Sequence, residues 1–90
     1  MENSNRKVVV ITGGATGLGF AMAGKFVKNH YKTVIVDRNK TKAAAAVKEL
    51  GPGAESILCD LTELDKLPGL VKEITEKFGR IDVLINNAGV

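Results

Sequence analysis

Short, uninterrupted apolar runs alternate along this chain with longer segments in which apolar residues recur every three or four positions. The first run, Lys7 to Thr12, is β-branched through its centre (Val8, Val9, Val10, Ile11) and ends at glycines, the pattern of a strand buried on both faces of a parallel sheet. From Leu18 to Asn29 the apolar residues Leu18, Ala21, Met22 and Phe26 are spaced by Lys25 and Lys28, which predicts a helix with one apolar stripe against a core. Thr33 to Val36 predicts a second buried strand, closed by the polar Asp37-Arg38-Asn39. Thr41 to Leu50 predicts a second helix with Ala43, Val47 and Leu50 in its stripe. Gly51-Pro52-Gly53 stops it by supplying a C-terminal glycine and then a residue that cannot continue. Ser56 to Cys59 predicts the third strand, and Asp65 to Phe78 the third helix, with Leu67, Leu70, Val71, Ile74 and Phe78 on its apolar face. Pro68 and Gly69 fall in its first turn or delay its start, and Thr62 with Asp65 has the spacing of a capping box with a shorter acid. Val83 to Asn86 predicts the fourth strand.

Strands alternating with helices at this spacing imply right-handed crossovers and an α/β fold: a doubly wound parallel sheet of Rossmann type, its first half, in spatial order 3-2-1-4. Ninety residues make one small domain at most, with a thin stability margin. A content of 44% hydrophobic and 26% charged residues is too apolar for a disordered chain, so this one should fold. The formal charge of +3 comes from lysines interleaved with acids, as in Lys48-Glu49 and Lys72-Glu73, which argues against a nucleic-acid-binding face. The aromatic residues Phe20, Phe26, Tyr31 and Phe78 adjoin no basic run, so they make no stacking platform for single strands. Cys59, the lone cysteine, excludes an intramolecular disulfide, and no zinc-like spacing occurs. Val8 to Ile11 is too short for a signal-peptide core or a membrane span, so the expectation is a cytoplasmic protein without a membrane partner.

The strongest chemical signal is Thr12-Gly13-Gly14-Ala15-Thr16-Gly17-Leu18-Gly19, placed where a buried strand turns into a helix. An anion over that helix start would meet backbone N–H groups and the positive end of the helix dipole, and glycines remove side chains from its approach. The spacing of Gly13, Gly17 and Gly19 is not GxGxxG. A Walker A loop fails because Phe20-Ala21 stands where Lys and Ser or Thr would have to hold phosphate and magnesium. A tight strand-to-helix turn without ligand is the plain alternative. Asp37 falls eighteen residues beyond Gly19 at the carboxyl end of the second strand, where a carboxylate can accept hydrogen bonds from ribose hydroxyls; the alternative is a turn or capping role before the second helix.

These residues resemble the short-chain dehydrogenase/reductase family, whose TGxxxGxG loop is matched by Thr12, Gly13, Gly17 and Gly19, with Thr16 and Leu18 in the same loop. The resemblance implies that Asp37 selects NAD over NADP, and Thr16 agrees, since members that prefer NADP often carry a basic residue in that part of the loop. Arg38 points the other way: a guanidinium there can stack on adenine or pair with a 2′-phosphate, so NADP stays open. By the same resemblance, Asp60-Leu61 holds the adenine ring, and Asn86-Asn87-Ala88-Gly89 reproduces the NNAG segment that steadies the sheet and lines the nicotinamide side. A bare Asp after a strand, or an Asn-Gly turn, would carry neither role by itself. Cys59 reads as a packing residue, and His30 as a residue that caps the first helix or faces solvent.

The family's catalytic Ser and its Tyr-x-x-x-Lys follow the fourth strand, and none can be assigned in these 90 residues, because Tyr31 is followed four positions later by Ile35. The reading is therefore the amino-terminal cofactor-binding segment, residues 1–90, of an oxidoreductase moving hydride between a nicotinamide nucleotide and an alcohol/carbonyl pair, expected to be inactive by itself. Two other classes stay open: a half-domain that holds an adenine nucleotide without reacting, and a non-catalytic interaction fragment. An exposed fourth strand would favour self-association, as a homo-oligomer or through that sheet edge.

Overall fold

The computed structural model describes residues 6–60 and 66–87. Its elements run β1 (Val8–Thr12), α1 (Gly17–Lys28), β2 (Lys32–Asp37), α2 (Lys40–Leu50), β3 (Ala54–Leu58), α3 (Leu67–Phe78) and β4 (Val83–Asn86). The four strands form one sheet in the order β3-β2-β1-β4. All three pairings are parallel, with Val10 beside Val34 and Leu84, and Val36 beside Ile57. The expected topology is the observed one.

Alternation along the central strands sorts the core into two layers. Val8, Val10, Val34 and Val36 meet Leu70 and Ile74 of α3, with Ile57, Cys59, Phe78 and Ile81 at the margin. Val9, Ile11 and Ile35 meet Ala15, Ala23 and Ala46 on the face covered by α1 and α2. Because both faces are covered, all five residues of β1 are buried and no polar alternation survives in its sequence. Ile11, Ile35 and Ile74 are among the largest fully buried side chains, each stabilising the fold by about 1.5–3 kcal/mol relative to exposure.

The helix stripes differ in part from the expected ones. On α1, Leu18 is 69% exposed and Ala21 faces solvent, while Gly19 and Ala23 are buried and Phe20, Met22 and Phe26 pack beside them. Residues without bulk let the start of α1 approach the strand ends, which turns Leu18 outward. On α2, Ala46 joins Ala43 in the buried face. On α3, Leu70 and Ile74 are buried, but Val71 is 37% exposed. Asn39 caps α2 by accepting the Lys42 N–H at 2.9 Å, and Pro68 lies in the first turn of α3 as expected. The Thr62 and Asp65 capping pair lies outside the described residues.

β3 begins two residues before the expected start and ends at Leu58 rather than Cys59. Glu55 looks like a loop residue, yet its carboxylate is paired with Lys32 at 2.8 Å and Lys77 at 3.0 Å, so the strand continues through it. His30 is exposed with φ 69 and donates its N–H to the Val27 carbonyl, closing α1.

Candidate functional site

Parallel pairing brings the carboxyl ends of the strands to one side of the sheet. Thr12 stands beside Val36 and Asn86, and Asp37 beside Leu58. The chain leaves β1 toward β2 on one side, and β4 takes the other side of β1, so the crevice where open α/β sheets bind ligands lies at the ends of β1 and β4.

The glycines of the turn have separate tasks. Gly13 and Gly17 adopt left-handed conformations with φ 67 and 60, which favour glycine. The space at the Gly17 Cβ position is open, whereas a Cβ on Gly19 would lie 2.3 Å from the Gly13 carbonyl oxygen and 2.9 Å from Asn87 Nδ2. Gly14, to which the sequence assigned no role, is also required: its Cβ would lie 2.6 Å from Ile35 Cγ2. No local pattern marks it, because the demand comes from Ile35 on β2. Thr16, extended and exposed, precedes α1, and its carbonyl accepts the Phe20 N–H at 3.3 Å. A helix leaves the N–H groups of its first turn without intrahelical partners, and the first turn of α1 holds no acidic side chain. The outcome is a positive, uncrowded helix start, flanked by the exposed Leu18.

β4 completes this loop from the far end of the sequence. The Thr12 hydroxyl donates to Asn86 Oδ1 at 3.1 Å and accepts the Asn87 N–H at 2.8 Å. Asn87 Nδ2 donates to the Gly13 carbonyl at 3.3 Å, in the space that the missing Gly19 side chain leaves. Thr12, Gly13, Gly19, Asn86 and Asn87 are thus one connected unit. Gly13 is tied to β2 as well, through its N–H to the Val36 carbonyl at 2.7 Å.

Asp37 ends β2 half-buried. Its Oδ1 accepts the Asn39 N–H at 3.1 Å and its carbonyl accepts the Cys59 N–H at 3.1 Å, so it shapes the corner before α2 and holds the end of β3. Asn39, not Asp37, is the helix cap. Arg38, Lys40 and Lys42 are exposed beside it, and Asp60 stands half-buried just past β3. Leu61, Ala88 and Gly89 lie outside the described residues. At the opposite ends of the strands the sequence reading missed Asp82, whose Oδ2 accepts the Val8 N–H at 2.7 Å while Arg80 grips both its oxygens. The Arg80 guanidinium first, then that N–H, hold the Asp82 carboxyl below its ordinary value. Its clue was an acid set immediately before an apolar run.

The arrangement can cradle an anion at α1 and accept hydrogen bonds at Asp37. Among the described residues there is no cluster of three or more His, Cys, Asp or Glu able to hold a metal ion, and no helix long and apolar enough to cross a membrane. Tyr31 packs edge-on against Phe26 with ring centroids 4.9 Å apart, away from any lysine four residues on.

Comparison with known proteins agrees with this geometry. The family model described as short chain dehydrogenase matches residues 7–90. Galactitol 2-dehydrogenase of Agrobacterium fabrum is 37% identical over 96% of this chain and 34% of its own length. Among solved structures, a metagenomic short-chain oxidoreductase in complex with NADP superposes with a TM-score of 0.87 at 36% identity, over 97% of this chain and 41% of that one. The 3-ketoacyl-(acyl-carrier-protein) reductase of Brucella melitensis complexed with NADH does so with 0.78 at 37% identity, over 87% and 32%. The chain spans about a third of the length of the curated relatives it matches, at their amino-terminal part. From Lys7 to Val90 the chain belongs to the short chain dehydrogenase family.

Proposed function

We propose that residues 1–90 are the cofactor-binding portion of a Rossmann-type oxidoreductase domain, and that they hold NAD at the carboxyl ends of the strands. The observation that carries this reading is the connected unit of Thr12, Gly13, Gly19 and Asn87 around an α1 start free of acidic side chains. The residues fit the nucleotide: Gly17 leaves open space, and two left-handed glycines shape the loop. Gly13, Thr16, Gly17 and Leu18 would surround the pyrophosphate at α1, Asp37 would accept from the adenosine ribose, and Asp60 with Leu61 would flank the adenine. Asn86, Asn87, Ala88 and Gly89 would line the nicotinamide side. When bound, the nicotinamide supplies a hydride acceptor or donor for an alcohol/carbonyl pair. The relative named above, a galactitol 2-dehydrogenase, acts within that substrate class.

Selectivity rests on Asp37. Its carboxylate repels a 2′-phosphate, while exposed Arg38, Lys40 and Lys42 attract one, so we place NAD first with NADP as a weaker ligand. Calorimetric titration of the 90-residue chain with NAD and NADP, as wild type and as Asp37→Asn, tests this. Asp37→Asn keeps an acceptor for the Asn39 N–H and removes the charge; it should narrow the NAD preference about tenfold without loss of folding. No saturable binding of either nucleotide would overturn the reading.

Two further readings accompany it. The lone Cys59, without a disulfide, supports a reducing, cytoplasmic setting, which a fluorescent fusion would locate. Among the described residues β4 pairs with β1 alone and exposes Leu84 at 54%, so the 90-residue polypeptide should self-associate at that edge.

A further inference from the structure

At the end of the sheet opposite the nucleotide site, one carboxylate gathers two ammonium groups around an aromatic ring. Glu55 on β3 pairs with Lys32 of β2 at 2.8 Å and with Lys77 of α3 at 3.0 Å. Both lysines also lie over the Phe78 ring, 5.6 Å and 5.5 Å from its centroid. Phe78 is the last residue of α3 and packs at the margin of the core layer that holds Leu70 and Ile74. We infer that Lys32, Glu55, Lys77 and Phe78 form an electrostatic latch that seats the carboxyl end of α3 on the β2–β3 edge and so sets the position of β4.

The route from latch to β4 is short. Gly79 reverses the chain in a left-handed conformation, φ 85, directly after Phe78. Asp82 then locks onto β1 by accepting the Val8 N–H at 2.7 Å and donating its own N–H to the Val8 carbonyl at 2.9 Å. β4 starts at the next residue and ends at Asn86, beside Thr12. Leu70 and Ile74 are the buried apolar anchors of α3 among its described side chains, so a loss at Phe78 is a large share of its attachment. Among the described residues, the groups facing Glu55 are cations from two elements, Lys32 and Lys77, with no second carboxylate among its partners. Lys77 is 54% exposed and Lys32 is 22% exposed, so solvent and salt reach the latch from the α3 side. These four are positioning residues: they touch no part of the nucleotide site and act on it through α3 and β4.

The test is hydrogen exchange of the whole 90-residue chain, read segment by segment without nucleotide, so that it can fail independently of the proposed NAD binding. Glu55→Gln should speed exchange in α3 and β4 about three- to tenfold, the effect of losing two partly exposed pairs, while β1 and β2 change little. In the wild type, salt of about 1 M, where the Debye length is about 3 Å, should speed the same segments and leave Glu55→Gln unaltered. Lys77→Arg should keep the protection that Lys77→Gln loses. Uniform acceleration of all strands would mark ordinary destabilisation and overturn the latch, and so would acceleration confined to α3 with β4 unchanged. Should Glu55→Gln fail to fold, the salt response of the wild type decides alone: no acceleration of α3 and β4 rejects the proposal.

Discussion

Gly17 and Gly19 sit two residues apart at the start of α1, yet the structure needs glycine at them for different reasons. At Gly17 the demand is conformational: φ is 60 and the surrounding space is open. An alanine there meets nothing and adopts a left-handed backbone at a cost of about 1–2 kcal/mol. At Gly19 the demand is steric, because a Cβ would overlap the Gly13 carbonyl oxygen at 2.3 Å. Backbone cannot yield as a flexible side chain does, so Gly19→Ala should cost about 2–3 kcal/mol and displace Asn87. Urea midpoints of the two variants should therefore fall in the order wild type, Gly17→Ala, Gly19→Ala. Thr12 gives a second prediction. Thr12→Val leaves the Asn87 N–H without its acceptor and should lose about 1–2 kcal/mol in the same assay, while Thr12→Ser keeps the hydroxyl and most of the stability. At this scale five of the residues singled out in the sequence, Thr12, Gly13, Gly19, Asn86 and Asn87, are connected in the structure. The sequence could not reveal Gly14, whose requirement comes from Ile35 on the neighbouring strand, nor the double duty of Asp37 in the corner before α2.

Among elements, strands were more legible than helix faces. A strand covered on both sides has one pattern, continuous apolar residues, and β1 and β2 show it plainly. A helix face depends on which side chains the neighbour tolerates, and α1 buries Gly19 and Ala23 in place of Leu18 and Ala21. The start of β3 was hidden because Glu55 reads as polar until Lys32 and Lys77 are placed beside it. Ile74, at 1% exposure, anchors α3 on the strands, and Ile74→Ala should cost about 2–5 kcal/mol by urea unfolding. Acid should loosen the same region. The Lys32 ammonium first, against the opposing effect of burial, holds Glu55 below its ordinary value, and Asp82 is likewise held below its own. Each depressed carboxyl favours the folded chain fully above its unfolded value of about 4, and that contribution is lost as pH falls through the folded value. The urea midpoint should accordingly drop between neutral pH and about pH 3, by less in Glu55→Gln than in the wild type.

For the molecule as a whole, the order β3-β2-β1-β4 is the one expected of the first half of a Rossmann-type doubly wound sheet. The two sheet edges differ. β3 carries Glu55 with its lysines, a charged protection against pairing with another chain, whereas Val83, Leu84 and Ile85 of β4 carry no charge. Leu84→Lys should therefore shift the 90-residue polypeptide toward monomer in light scattering, and an unchanged elution would reject self-association at β4. The link between Thr12 and Asn87 spans 75 positions, nearly the whole described sequence. During synthesis, which runs from the amino terminus at about 5–20 residues per second, the glycine loop leaves the ribosome early but waits several seconds for the asparagine that closes it. The loop is thus made well before it is finished. A nascent chain stalled before Asn87 has emerged should expose an open loop, and one stalled well beyond it a closed one.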